Sequence, residues 1–220
     1  MTNPETVLIL CAHPDDEILG VGGTIAQYTA EGKMVRTVIF SKGEGSHPWM
    51  REKVVHTIRM QESMVAGHLV GTDETIFLGL RDGQLTKDCK DPSVAERIKA
   101  IILRYKPDKI FTHDMDDLVY PDHKAVNKVV LTVVDELMAK NRWRGDVYTF
   151  NIWFMNFRKT LKPKLVVDIS STFRQKRKAL RAFKSQKIAL LQLIPFVYAK
   201  AFFDGLHSDV RFAETFYKVR

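Results

Sequence analysis

Cysteine is scarce. The chain has two, Cys11 and Cys89, in 220 residues, which excludes a disulfide-stapled scaffold and fits a reducing compartment. Cys11 ends an apolar run and reads as a small buried core residue. No stretch of about 20 apolar residues occurs, so no spanning helix is expected. No basic region precedes the short N-terminal apolar run, so no secretory signal is expected either. Repeats, low-complexity tracts and a compositional break that would mark a linker are also missing. The expectation is one cytoplasmic domain over residues 1–220. What is present suffices for a large core, at 45% hydrophobic residues. The net charge of +8 points to an acidic partner without naming it.

Hydrophobic periodicity alternates between strand and helix. Strands are expected at 6–12, 34–40, 75–78, 108–112, 147–154 and 165–169. Helices are expected at 18–31, 52–70, 94–105 and 123–139, with a basic helix over 171–192. Strands separated by helices predict an α/β fold, a Rossmann-like doubly wound and mostly parallel sheet with helices on both faces.

The densest chemistry lies in CAHPDDEILGVGGTIAQY, Cys11 to Tyr28. One histidine and three consecutive carboxylates stand between a buried strand and a helix. Helix capping and the helix dipole, worth roughly 0.3–2 kcal/mol, account for one or two acids. They do not account for His13, or for Pro14 fixing the turn. A bound cation would neutralise the set, and strand-to-helix junctions of α/β sheets are where ligands bind. The glycines Gly20, Gly22 and Gly23 lack the G-x-G-x-x-G spacing. Asp15, Asp16 and Glu17 would repel a phosphate, so the glycines are read as close helix–sheet packing.

A second cluster, FTHDMDDLVYPDHKAV, runs from Phe111 to Val126 and has the same plan of strand, polar loop and helix. On its own it could be a helix-start histidine bonded to Asp122. Loops after neighbouring strands of a doubly wound sheet open on one edge, so the two clusters can meet. His13 and Asp16, joined by His123, would give two nitrogens and one carboxylate, the composition of a catalytic zinc site.

With both clusters in view, the chain resembles the zinc-dependent N-acetylglucosaminide deacetylases of the LmbE-like, PIG-L type. The resemblance rests on His13-Pro14-Asp15-Asp16-Glu17 and on Pro121-Asp122-His123. It extends through RMQESMVAGHLVGTDETIFLGLRDGQL, VVDISSTFRQKRKALRAFKSQ and the terminal RFAETFYKVR. It implies one Zn2+ per chain on His13, Asp16 and His123. It further implies Asp15 as general base for a zinc-bound water, whose pKa zinc lowers from about 15.7 to about 7. Asp15 would then pass its proton to the leaving amine. Arg59 and Asp82 fall where the family contacts substrate, although a surface ion pair or a turn residue would read the same way. The implied substrate is an N-acetylated amino sugar, and the excess of Lys and Arg is compatible with an anionic aglycone.

One departure affects catalysis. The family usually has His-x-Asp-His before the last ligand, and here Tyr120 stands first, depriving Asp122 of its expected imidazole partner. A phenol, with pKa near 10, donates a hydrogen bond but cannot act as a cation at neutral pH. Tyr120 or His113 is expected to take the oxyanion role. Phe183 also stands where the family often has histidine. These departures keep open a metal-binding relative with reduced or lost catalysis. The basic stretch Arg174 to Lys187 raises a nucleic-acid-binding alternative, but aromatic interleaving there is sparse, and no nucleic acid is expected. The apolar run Ile188 to Phe203 is too hydrophobic to leave in water. Its default role is to cap the core, with subunit pairing or contact with a membrane surface as the alternatives, the membrane being the less expected partner.

Overall fold

Val7, Leu8, Ile9, Leu10 and Cys11 are apolar at every position because both faces of their strand are covered. Val7, Ile9 and Cys11 join one hydrophobic cluster, while Leu8, Leu10 and Ala12 join another across the sheet. The computed structural model describes residues 4–46, 50–116, 120–152 and 163–220. Its strands are β1 (Thr6–Cys11), β2 (Met34–Ser41), β3 (Glu74–Leu80), β4 (Lys109–His113), β5 (Asp146–Phe150), β6 (Lys164–Asp168) and β7 (Ala213–Lys218). They form one sheet in the order β3-β2-β1-β4-β5-β7-β6. The first five are parallel, and β7 lies antiparallel to both β5 and β6.

Helices cover both faces. One side carries α1 (Asp16–Ala30), α2 (Glu52–Val70), α6 (Phe173–Leu180) and α7 (Lys187–Leu206). The other carries the short α3 (Leu85–Asp88), α4 (Pro92–Tyr105) and α5 (Pro121–Ala139). Local signals set several ends. Gly71, at φ 87, caps α2 in the left-handed region that glycine adopts without strain. Asp91 accepts the Ser93 N–H at 2.9 Å, and Pro92 opens α4. The glycines of α1 serve packing: a Cβ at Gly20 would run into the Phe150 ring, and one at Gly23 into Ile169.

The doubly wound, mostly parallel α/β fold is as expected, with five corrections of detail. The basic helix predicted over 171–192 is broken: α6 stops at Leu180, and the turn buries the Phe183 ring before α7 begins. The terminal segment is a strand, which buried Glu214 disguises as polar. The strand expected at 147–154 ends at Phe150, and residues 153–154 lie outside the described residues. The apolar run caps the core only in part. Leu190, Val197 and Ala201 are buried, whereas Ile188, Leu191, Phe196, Phe202 and Phe203 are exposed. Residues 184–206 are long and apolar enough to cross a membrane by length and composition, contrary to the expectation that no segment would be.

The chain runs β1 to β3 outward on one side, then returns to place β4 on the other side of β1. The crevice between the carboxyl ends of β1 and β4 is therefore the topological switch point, where ligands bind in such sheets.

The basic helix is not simply a solvated face, because Lys176 is buried. Its Nζ donates to Glu214 Oε1 at 2.6 Å and to the Leu19 carbonyl at 2.8 Å. Glu214 in turn accepts the N–H groups of Gly23 and Thr24 at 3.0 and 2.8 Å. This pair ties α6, α1 and β7 together. Lys176→Met strands a buried carboxylate and is expected to cost about 3–5 kcal/mol. Urea unfolding measures it, and the double variant with Glu214→Gln should recover part of the loss.

Candidate active site at the switch point

The turn after β1 delivers His13 and Asp15, the start of α1 delivers Asp16, and α5 delivers Asp122 and His123 from its first turn. The two clusters meet. One donor atom each from His13, Asp16 and His123 lies within 4.8 Å of the others. Asp16 Oδ2 stands 3.4 Å from His13 Nδ1, 3.4 Å from His123 Nε2 and 3.2 Å from His113 Nε2. It also accepts the His13 backbone N–H at 2.8 Å. Burial alone would raise the Asp16 pKa, but His123 and His113 hold it well below the carboxylate range.

His13 is gripped from its other side. Its Nε2 lies 3.2 Å from Asp82 Oδ1 and 3.5 Å from Asp122 Oδ2. Against the lowering effect of burial, Asp122, Asp16 and Asp82 raise its pKa well above the ordinary value. Asp82 and Asp122 are themselves anchored, by the backbone N–H groups of Gly45 at 3.1 Å and Leu85 at 3.2 Å. Asp122 thus faces His13, and Asp82 is engaged with the same ring while bordering the cavity.

Asp15 has φ 128, a conformation that non-glycine residues rarely adopt and that costs of order 1–3 kcal/mol. Neighbouring groups hold it there. Its N–H donates to Glu17 Oε2 at 2.9 Å, and Arg59 Nη2 reaches its Oδ2 at 3.1 Å and the Pro14 carbonyl. Arg59 and Ser63 stand one turn apart on the buried face of α2. Ser63 Oγ donates to Glu17 Oε1 at 2.7 Å. Burial lifts the Glu17 pKa to about 7 despite the bonds from Ser63 and the Asp15 N–H. Motif spacing does not single out Glu17 and Ser63, because neither reaches the cavity.

Tyr120 stands just before α5 and is 43% exposed. Its ring centroid is 6.1 Å from His13, edge to face, and 5.0 Å from His123. His113 is placed differently. It is buried, stacks on His123 at 3.9 Å, and its Nε2 accepts the Ala12 N–H at 3.0 Å. Burial, with His123 beside it, pushes its pKa down to about 4. Phe183 lies under Arg59, whose guanidinium carbon is 5.9 Å from its ring centre.

These groups border a cavity of about 340 Å³. His13, Asp15, Asp16, Arg59, Asp82, Tyr120 and His123 provide its polar side. Leu19, Ile152, Ala189 and Leu193 provide an apolar wall that motif spacing could not reveal, because it comes from separate elements. A carboxylate beside a two-imidazole, one-carboxylate donor set is equipped to move a proton next to a Lewis acid.

Comparison with known proteins agrees with this layout. A family model described as PIG-L, GlcNAc-PI de-N-acetylase, matches residues 8–134. A Bacillus cereus protein named "Probable N-acetyl-alpha-D-glucosaminyl L-malate deacetylase 2" is 30% identical over 191 residues, 84% of this chain and 86% of its own length. Among solved structures, N,N'-diacetylchitobiose deacetylase from Pyrococcus horikoshii has a TM-score of 0.85 at 24% identity, covering 99% of this chain and 84% of that one. GalB, the 4-carboxy-2-hydroxymuconate hydratase of Pseudomonas putida, has a TM-score of 0.82 at 20% identity, covering 98% and 96%. At such identities the structural likeness speaks for the fold alone. A hydratase and a deacetylase share it, so activity is argued from side chains.

Ser63→Ala takes the hydroxyl donor from buried Glu17 and is expected to cost about 1–3 kcal/mol of stability at pH 8, where Glu17 is ionised. Urea unfolding checks this. Unchanged stability would show that Glu17 does not rely on Ser63.

Proposed function

We propose a function from one premise: the chain belongs to the PIG-L family. The reaction is hydrolysis of the N-acetyl amide of an N-acetylglucosamine-type conjugate, giving acetate and a free amine. The observation that carries it is Asp15, a strained carboxylate that borders the cavity beside the three-donor cluster but is not part of it.

His13, Asp16 and His123 would hold a zinc ion, and their chemistry fits one. They offer two imidazole nitrogens and one carboxylate oxygen, with carboxylates bracing the far side of the His13 ring. When bound, zinc supplies Lewis-acid polarisation of the acetamide carbonyl and acidification of a water.

The chain's own residues do the rest. Asp15 takes a proton from the attacking water, whose oxygen bonds to the acetyl carbon. As the C–N bond breaks, Asp15 returns that proton to the amine nitrogen. Burial raises the Asp15 pKa even though Arg59 opposes it, which suits a group that must hold a proton in mid-reaction. Tyr120 donates to the carbonyl oxygen as charge develops there. The burial of His113, with its Nε2 taken by Ala12, favours Tyr120 over His113 for that role. Asp82 and Asp122 orient His13. Arg59 borders the cavity where a sugar oxygen would lie, and its buried Nε and Nη1 have no hydrogen-bond partner among the described residues. Among the described lining residues Arg59 is also the one Lys or Arg, so an anionic aglycone would depend on it. The two free thiols fit a cytoplasmic location.

Variants separate the roles. Asp15→Asn should keep zinc and lower the rate by roughly 10²–10⁴. Asp16→Asn, His13→Ala and His123→Ala should each lose zinc, as elemental analysis will show. Loss of zinc from Asp15→Asn but not from Asp16→Asn would reverse the assignment of the adjacent acids.

The second reading, a metal-binding relative with weak catalysis, draws on Tyr120 standing in place of histidine. Tyr120→Phe should lower the rate about 10²–10³-fold without changing metal content. Tyr120→His should preserve or raise it. A Tyr120→Phe rate equal to that of the parent removes the phenol from the mechanism.

A further inference from the structure

Residues 169–203 contain eight Lys or Arg and no Asp or Glu, while the remainder of the chain holds 26 of each sign. The entire net charge of +8 therefore resides in one 35-residue segment, that of α6 and most of α7. Five of its cations are exposed: Arg174, Lys178, Arg181, Lys184 and Lys187. Helix α7 carries the largest run of exposed apolar side chains among the described residues. On α7, Ile188, Leu191, Phe196, Phe202, Phe203 and Leu206 are 83, 67, 50, 48, 45 and 61% exposed. At 3.6 residues per turn these six fall within an arc of about 140°. Leu190, Val197, Ala201 and Gly205 fall on the opposite side and are buried against the protein.

We propose that α7, with the basic residues of α6 and of its own first turn, is a docking surface for an anionic phospholipid membrane. An apolar helix face bordered by cations is the form of an interfacial helix, which lies in the headgroup region and draws on both apolar burial and attraction to acidic lipids. The charge argues against a second copy as the occupant, because pairing by this face would bring two sets of five exposed cations together. It also sets the face apart from a nucleic-acid groove, since the six exposed side chains present no polar or hydrogen-bonding group.

Length and composition allow α7 to span a bilayer, but its place in the fold does not. Only 22% of the apolar window is buried, yet that part packs on the core. The helix also leads into β7, fixed between β5 and β6. The helix lies on the membrane. Gln186, Ala189 and Leu193 of the same segment border the cavity, so docking holds the cavity beside the lipid surface. The inference does not depend on the deacetylase reading.

Co-sedimentation of the full chain with vesicles is the test. Binding is expected with phosphatidylcholine mixed with phosphatidylglycerol, and not with phosphatidylcholine alone. The double variant Lys184→Gln/Lys187→Gln should weaken it about ten-fold. Leu191→Ser/Phe202→Ser should weaken it at least about ten-fold with an unchanged circular dichroism spectrum. Absence of binding to the mixed vesicles would overturn the proposal. So would a dimer in light scattering that the Leu191→Ser/Phe202→Ser variant dissociates, or binding to random-sequence DNA that acidic vesicles fail to displace.

Discussion

The buried Asp16 carboxylate is the constraint on which the site depends, because His13 Nδ1 and His123 Nε2 each stand 3.4 Å from its Oδ2 and the His13 backbone N–H donates to it. A carboxylate taken out of water is costly unless positive charge or hydrogen-bond donors surround it. Here the partners come from two elements: His13 from the turn after β1 and His123 from α5. The reversal of strand order between β1 and β4 opens the crevice in which those elements converge. The sharp turn that brings His13 back over Asp16 leaves Asp15 at a strained φ, and Arg59, Glu17 and Ser63 are the surrounding structure that holds it.

Legibility in the sequence followed the range of each interaction. The buried strands and amphipathic helices were readable because burial imposes a local period. The α2 boundaries, Glu52 and Val70, are as expected, since a glycine cap ends that helix. The convergence of His13, Asp16 and His123 was readable from two junctions of the same kind and a sheet rule. What stayed hidden depends on long-range partners. Lys176 looked like one more surface cation, and only Glu214, 38 residues away, accounts for its burial. Strand β7 was concealed by that same glutamate. The apolar wall of the cavity comes from α1, α7 and the segment after β5, which no spacing rule links.

Fold and function part company at this site. The same architecture is found in a chitobiose deacetylase and in a hydratase. The sheet guarantees only a crevice lined by loop residues, and chemistry follows from which side chains occupy it. In this chain the crevice is acidic, with Asp15, Asp16 and Asp82 around two imidazoles, while the basic charge is concentrated on α6 and α7. Separating the charges in this way lets the crevice carboxylates keep their tuned environment while a different surface carries the positive field.

The most direct test of the central claim is product stoichiometry. Zinc-loaded wild-type protein is incubated with N-acetylglucosamine conjugates, and acetate and primary amine are quantified together. The account expects the two to appear in equal amounts from at least one conjugate. Full zinc occupancy with no amine released from any of them, or addition of water to an unsaturated acid in place of amide cleavage, would contradict it.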